Sequence, residues 1–311
     1  MAREYDLVIV GGGAAGLTAG MYASRYGLKT VIVEHMMAAN QVINVQKIED
    51  FPGFPQGLSG AELGPLMMEQ AMDAGAELVM DEAMGLRLDG NYRVIEATED
   101  SYRAKALVVA AGSRLRKLGI AGEEEFLGRG VSHCATCDGP LFKGEVVGVL
   151  GGGDSAADEA LTLTEYAQQV VLFHRSNRFR SQKVLQERLL SHPKMDISLN
   201  TVVESILGDE TVTGVQVRNV VTNLVNRVNL SGLFIYVGLE PNTEFLRGVL
   251  KTDKAGHIPV NLWMETDVPG VYAAGDIRQH SAAQLASAAG DGATAAIAAF
   301  RYISGRQWDR K

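Results

Sequence analysis

The sequence predicts an α/β fold made of two Rossmann-like units, and three observations carry that prediction. A strand, a Gly-rich turn, a helix and a second strand follow one another twice, with the turns opening at Gly11 and Gly151. The two turns are far enough apart to belong to separate domains. No linker, repeat or low-complexity tract divides the halves, which favours one domain inserted in the other over two domains in tandem.

The first unit begins with the apolar run Tyr5 to Val10, read as a buried strand, and continues through a helix over Leu17–Tyr26 to the strand Thr30–Glu34. Leu107 to Gly112 reads as another buried strand ending in a small-residue turn. The second unit repeats the pattern with Val146–Leu150, a helix over Ala156–Gln168, and the strand Val170–His174. Near the C-terminus Val271 to Asp276 is a further strand closing on an acid, and Ala282–Ile303 is Ala-rich and helical in composition. The expected domains are 1–115 with 246–311, and 116–245.

Composition narrows the function. With 311 residues the chain is long enough for two full cores. A net charge of −8 argues against non-specific nucleic-acid binding. No apolar stretch approaches the roughly 18 residues a membrane span needs, and no secretory signal is expected. Two cysteines cannot build a disulfide framework. In a reducing, cytoplasmic setting such a pair is catalytic or metal-binding.

The turns carry binding chemistry. In Gly11-x-Gly13-x-x-Gly16, the first glycine permits the tight turn, the second admits a pyrophosphate, and the third allows close helix–strand packing. Glu34 ends the next strand, where it can accept ribose hydroxyls. Asp276 ends its own strand and reads either as a contact to the same nucleotide or as a turn acid. The second fingerprint, Gly151-x-Gly153-x-x-Ala156, is followed by a strand ending in His174-Arg175, with Arg178 and Arg180 nearby. Cations there bind a 2′-phosphate that an acid would repel, which predicts NADPH over NADH. Glu159, one turn along that helix, either meets the nicotinamide side or faces solvent.

Cys134-Ala135-Thr136-Cys137 places two thiols one turn apart, spacing that lets a disulfide form and break. Asp138 follows and is a candidate proton carrier. A structural zinc needs four ligands and this motif supplies two. Buried, inert cysteines are the other alternative. His133 reads as a packing or surface residue.

These residues together resemble the low-molecular-weight thioredoxin reductases of the pyridine nucleotide-disulfide oxidoreductase family. The resemblance runs in order through Gly11-Gly12-Gly13-Ala14-Ala15-Gly16, Glu49 to Pro55, Gly130 to Gly139, Gly151-Gly152-Gly153-Asp154-Ser155-Ala156, His174-Arg175 with Phe179-Arg180, and Ala273 to Asp276. It implies two Rossmann-like dinucleotide-binding domains, the NADPH domain inserted in the FAD domain. Gly11, Gly13, Ala15, Gly16, Glu34, Gln41, Asp276 and Gln284 would bind FAD. Gly151, Gly153, Asp154, Ser155, Ala156, Glu159, His174, Arg175 and Arg180 would bind NADPH. Cys137 would be the thiol nearer the flavin, Cys134 the one that attacks the substrate disulfide, and Asp138 the acid–base group. The resemblance further implies a homodimer and thioredoxin, or a thioredoxin-like protein, as partner.

Five positions in four places depart from the family pattern. Ala39-Asn40 stands where the family has Gly-Gly, Asp50 where it has Asn, Ser176 where it has a second Arg, and Ala283 where it has Arg. They leave open a small-molecule dithiol oxidase and a ferredoxin-linked disulfide reductase on the same fold. A nucleotide-sensing regulator would leave the cysteine pair unexplained.

Overall fold

The run Leu7–Val10 is buried on both faces, as a central parallel strand must be. A computed structural model describes residues 2–305, with Asn40 described by its backbone alone. In it the chain starts with β1 (Arg3–Val10), α1 (Ala14–Arg25) and β2 (Thr30–Glu34). Next come α2 (Asn40–Ile43), α3 (Gly60–Asp73), β3 (Glu77–Met80), β4 (Ala83–Asp89), β5 (Tyr92–Ala97) and β6 (Ser101–Val109). β7 (Ser113–Leu115) leads into a second compact unit.

That unit holds β8 (Val131–Ser132), α4 (Ala135–Asp138), β9 (Val146–Gly151), α5 (Asp154–Leu163), β10 (Gln169–Phe173) and α6 (Lys183–Ser191). It continues with β11 (Met195–Ser198), β12 (Thr201–Gly208), β13 (Val212–Asn219), β14 (Val225–Asn229) and β15 (Gly232–Tyr236). β16 (Leu239–Pro241) leads back, and β17 (Val271–Ala273) and α7 (Leu285–Ser304) complete the first unit. By contacts the described residues divide into 2–114 with 240–305, and 115–239, so residues 240–245 lie with the first unit and Leu115 with the second. Of the expected first domain, residues 1 and 306–311 lie outside the described residues.

In the first unit the sheet order is β3-β2-β1-β6-β5-β4, with β17 also on β6. β6 is long enough to serve both neighbours. Its start pairs antiparallel with β5 and its end parallel with β17. Leu7 and Ile9 face a core shared with α1 and α7, while Val8 and Val10 face the opposite core. The second unit has an all-parallel sheet, β11-β10-β9-β15-β8, and a separate antiparallel sheet, β12-β13-β14. The α/β class and both βαβ units are as expected.

Several element boundaries differ from expectation. The strand read as Val271–Asp276 ends at Ala273, because Gly275 takes φ +79° and opens a 3₁₀ turn over Gly275–Ile277. Three helix boundaries also have a local cause. α1 begins at Ala14 rather than Leu17, because the glycine turn ends at Gly13 and the helix follows at once. α5 stops at Leu163 rather than Gln168. The Lys194 ammonium donates to the carbonyls of Thr164 (2.6 Å) and Ala167 (2.9 Å), taking the acceptors that a continuing helix would use. α7 begins at Leu285 rather than Ala282, since Ala283 takes φ 51° and Gln284 is extended.

Candidate functional site

In the first unit the Gly11–Gly16 turn lies at the carboxyl end of β1, between β2 and β6. That is where ligands bind in open α/β sheets. Gly11 has φ +105°, and a Cβ there would come within 2.3 Å of the Ala110 carbonyl oxygen. A Cβ on Gly16 would fall 1.8 Å from the Gly11 oxygen. At Gly13 the same Cβ would meet nothing within 4 Å. Two glycines are thus required by packing, and the third faces open space at the start of α1. No side chain caps that helix, so its first N–H groups are left for an anion.

Glu34 bends over this turn. Its carboxylate accepts the Gly12 N–H at 2.6 Å through one oxygen and the Met36 N–H at 3.1 Å through the other. A carboxylate has about four acceptor sites, so capacity remains for a ribose hydroxyl. Ala15 is buried, and its carbonyl lies where a Cβ on Gly292 would fall. It therefore sets the close approach of α1 and α7. Gln41 donates from Nε2 to the Ser113 carbonyl at 2.7 Å, which fixes its amide beside Gly112. Gln284 is the residue before the first turn of α7, and its carbonyl accepts the Ala288 N–H.

Asp276 follows β17 and accepts the Ser281 hydroxyl at 3.3 Å. Burial, with Asp291 adding to it, raises its pKa above the ordinary carboxylate value. Asp291 in turn takes the Gly275 N–H at 3.1 Å and pairs with the Arg278 guanidinium at 2.5 Å. This buried pair holds the turn that carries Asp276. Sequence reasoning missed it, although an acid between Gly290 and Gly292 in an Ala-rich helix was the signal.

The second unit repeats the cradle. A Cβ on Gly151 would strike the Tyr236 oxygen at 2.5 Å, whereas one on Gly153 would meet nothing within 4 Å. No side chain caps α5 either. Ala156 is buried against Gly151. His174 is buried beneath the turn. A Cβ on Gly152 would fall 2.2 Å from its ring, its Nε2 lies 2.9 Å from the Arg178 carbonyl, and Phe179 stacks on it at 5.4 Å. Asp154 accepts the Gln182 N–H at 2.7 Å, at the start of α6. Ser155 is exposed. Arg175, Arg178 and Arg180 are all exposed and make no ion pair among the described residues. The Arg180 N–H donates to the Gly152 carbonyl at 2.8 Å, tying this basic loop to the glycine turn.

Cys134 and Cys137 are joined by a disulfide, with Cα atoms 5.3 Å apart. Cys134 caps α4, and its Sγ accepts the Cys137 N–H at 3.1 Å. Ser132, which sequence reasoning did not single out, donates to Asp138 at 2.6 Å and accepts the Cys134 N–H at 3.1 Å. One hydroxyl thereby links the acid to the backbone of the first cysteine. His133 contacts the Ile235 carbonyl through Nδ1 at 3.1 Å. Glu159 is turned toward this site. It accepts the Ala135 N–H at 2.7 Å and the Tyr236 hydroxyl at 3.0 Å.

Two glycine cradles and a bonded dithiol turn are an unusual combination, and comparison with known proteins places it. The family described as pyridine nucleotide-disulphide oxidoreductase matches residues 5–293. This chain belongs to that family. Within it, the thioredoxin reductase of Listeria innocua is 40% identical over 308 residues, covering 97% of this chain and 96% of that one. A solved thioredoxin reductase from Lactococcus lactis is 39% identical, with a TM-score of 0.95 over 97% of this chain and 99% of its own. A ferredoxin-flavin thioredoxin reductase from Clostridium acetobutylicum is 28% identical, with a TM-score of 0.55 over 98% of this chain and all of that chain (100%). The pyridine nucleotide-disulphide oxidoreductase fold and the bonded pair make the protein an oxidoreductase of the disulfide-reductase type.

Proposed function

We propose that the protein is an NADPH-dependent flavoprotein disulfide reductase whose Cys134–Cys137 pair hands electrons to thioredoxin or a thioredoxin-like protein. The observation that carries this reading is the disulfide itself, closed in a turn of the same unit that holds the second glycine cradle. The residues fit both nucleotides. Gly11, Gly13 and Gly16 form a cradle open at Gly13, with Glu34, Gln41, Asp276 and Gln284 around it for FAD. Gly151, Gly153 and Ala156 form the second, with Arg175 and Arg180 for the 2′-phosphate of NADPH. A bound FAD supplies the two-electron relay between nicotinamide and disulfide.

The chain's own groups handle the thiol chemistry. A Cys134 thiolate would attack the partner's disulfide, expelling one partner sulfur, and Cys137 would then displace the other. The partner leaves with two thiols and the Cys134–Cys137 bond is restored. In the disulfide state Cys137 is the more exposed residue of the two, so the assignment of attack to Cys134 rests on the family pattern. Asp138, steadied by Ser132, is the group placed to carry the proton. We further read the protein as a cytoplasmic homodimer. No described helix is long and apolar enough to cross a membrane.

Anaerobic mixing of the purified protein with NADPH, then with oxidised thioredoxin, tests this directly. Flavin absorbance should bleach and then return. Bleaching reversed only by oxygen would point to a dithiol oxidase. No bleaching by NADPH, with bleaching by reduced ferredoxin, would move the donor to ferredoxin.

A further inference from the structure

Glu159 lies one turn into α5, the helix that opens on the second glycine cradle. Its carboxylate is taken up on the other side, by the turn that carries the cysteines. Oε2 accepts the N–H of Ala135, the residue after Cys134, at 2.7 Å, and the hydroxyl of Tyr236 at 3.0 Å. Ala135 is fully buried, so no water can replace that acceptor. Tyr236 is also buried and ends β15 in register with Gly151. The far end of the cysteine turn rests on the end of the same helix and the turn after it, because a Cβ on Gly139 would fall 3.4 Å from Leu163, the last residue of α5, and 2.9 Å from Tyr166 just beyond it. α5 therefore holds the dithiol turn at both ends.

We propose that Glu159 and Tyr236 are positioning residues for the Cys134–Cys137 pair, setting its redox equilibrium through the Ala135 N–H. This rests on the reading of that pair as the redox centre. The Cys137 N–H is already directed at the Cys134 sulfur. A thiolate at Cys134 draws further N–H donors, and each one that reaches it stabilises the reduced form. Glu159 withholds the Ala135 donor. Without Glu159, that buried N–H has lost its acceptor, and a thiolate at Cys134, one residue back, is the negative charge left nearest to it along the chain. The reduced form then gains and the pair becomes more oxidising. Burial keeps the pKa of Glu159 raised, and both burial and Glu159 raise that of Tyr236, which therefore stays a donor. Asp138 is the other acid acting on Tyr236.

The test uses the intact flavoprotein, wild type and Glu159→Leu, Glu159→Gln and Tyr236→Phe variants. Each is equilibrated with dithiothreitol mixtures, alkylated and weighed. Dithiothreitol supplies the two electrons and two protons that open the S–S bond. The sequence has only two cysteines, so the mass shift reads this pair alone. Glu159→Leu should move the equilibrium toward the dithiol about tenfold, roughly 30 mV. Glu159→Gln keeps an acceptor oxygen and should stay within about threefold, with Tyr236→Phe between the two. NADPH affinity is measured beside it, by equilibrium dialysis of each variant with NADP⁺. An unchanged thiol equilibrium in Glu159→Leu overturns the inference. So does a large loss of NADPH affinity in Glu159→Gln at constant thiol equilibrium, which would make Glu159 a nucleotide contact. If Glu159→Leu fails to fold, an equilibrium in Tyr236→Phe equal to wild type overturns it. A wild type that NADPH does not bleach refutes the proposed function and leaves the thiol measurement standing.

Discussion

Ala283 is exposed and takes φ 51°, in the left-handed region that costs a residue with a Cβ about 1–2 kcal/mol. Glycine removes that cost but loses more entropy on folding, by about 0.5–1 kcal/mol. With no buried methyl at stake, Ala283→Gly should stabilise the protein by about 0.5–1 kcal/mol, read from urea unfolding. Ala39 also takes a positive φ, 60°, at the position where the family has glycine. The chain keeps the glycine conformation there and carries the methyl inside the core.

Asp276 supplies a pH-dependent prediction. Its folded pKa lies above the ordinary 3.8, chiefly through burial. The ionised form is therefore disfavoured by folding, and wild-type stability drops as pH rises through the folded value. In flavin-free protein, Asp276→Asn should match wild type near about pH 4 and be the more stable near about pH 7. Denaturant midpoints at the two pH values check the sign. Equal differences at both would mean that the carboxyl is not desolvated.

At the scale of elements, both glycine turns depend on contact between backbones. A Cβ at Gly16 would stand 1.8 Å from the Gly11 oxygen, and neither atom belongs to a flexible side chain. Gly16→Ala should cost about 3 kcal/mol or more and yield protein with little bound flavin, measured by thermal unfolding and the flavin-to-protein absorbance ratio. The basic loop after β10 is tied to its cradle by one backbone bond, which leaves its guanidinium groups to the ligand. The double variant Arg175→Ala with Arg180→Ala should raise KM for NADPH about tenfold or more and leave that for NADH nearly unchanged. Equal losses for both nucleotides would show that the loop does not read the 2′-phosphate.

Much of this was legible at the level of motif. The glycine spacing, the acid ending β2 and the paired cysteines are local patterns, set by residues within one turn of each other. The roles of Asp154 and His174 were less so. Their residue types suit a nucleotide contact, yet Asp154 accepts the Gln182 N–H at the start of α6 and His174 fills the floor beneath Gly152. Both partners are distant in sequence, and no local pattern shows them.

For the whole molecule, the proposed homodimer predicts twice the chain mass in sedimentation equilibrium, independent of bound nucleotide. A single-chain mass would remove it. The sequence by itself determined the α/β class, the two βαβ units and the redox pair, because each is written in short-range periodicity and spacing. Only the tertiary structure decided where the carboxylates and hydroxyls went. Glu159 had two readings on the helix surface and turned to the Ala135 N–H, because that buried donor had to be satisfied. Ser132 and Tyr236 carried no motif. They matter because the chain folds β8, α4 and β15 together around one disulfide, and contacts between distant segments cannot be read from the order of residues.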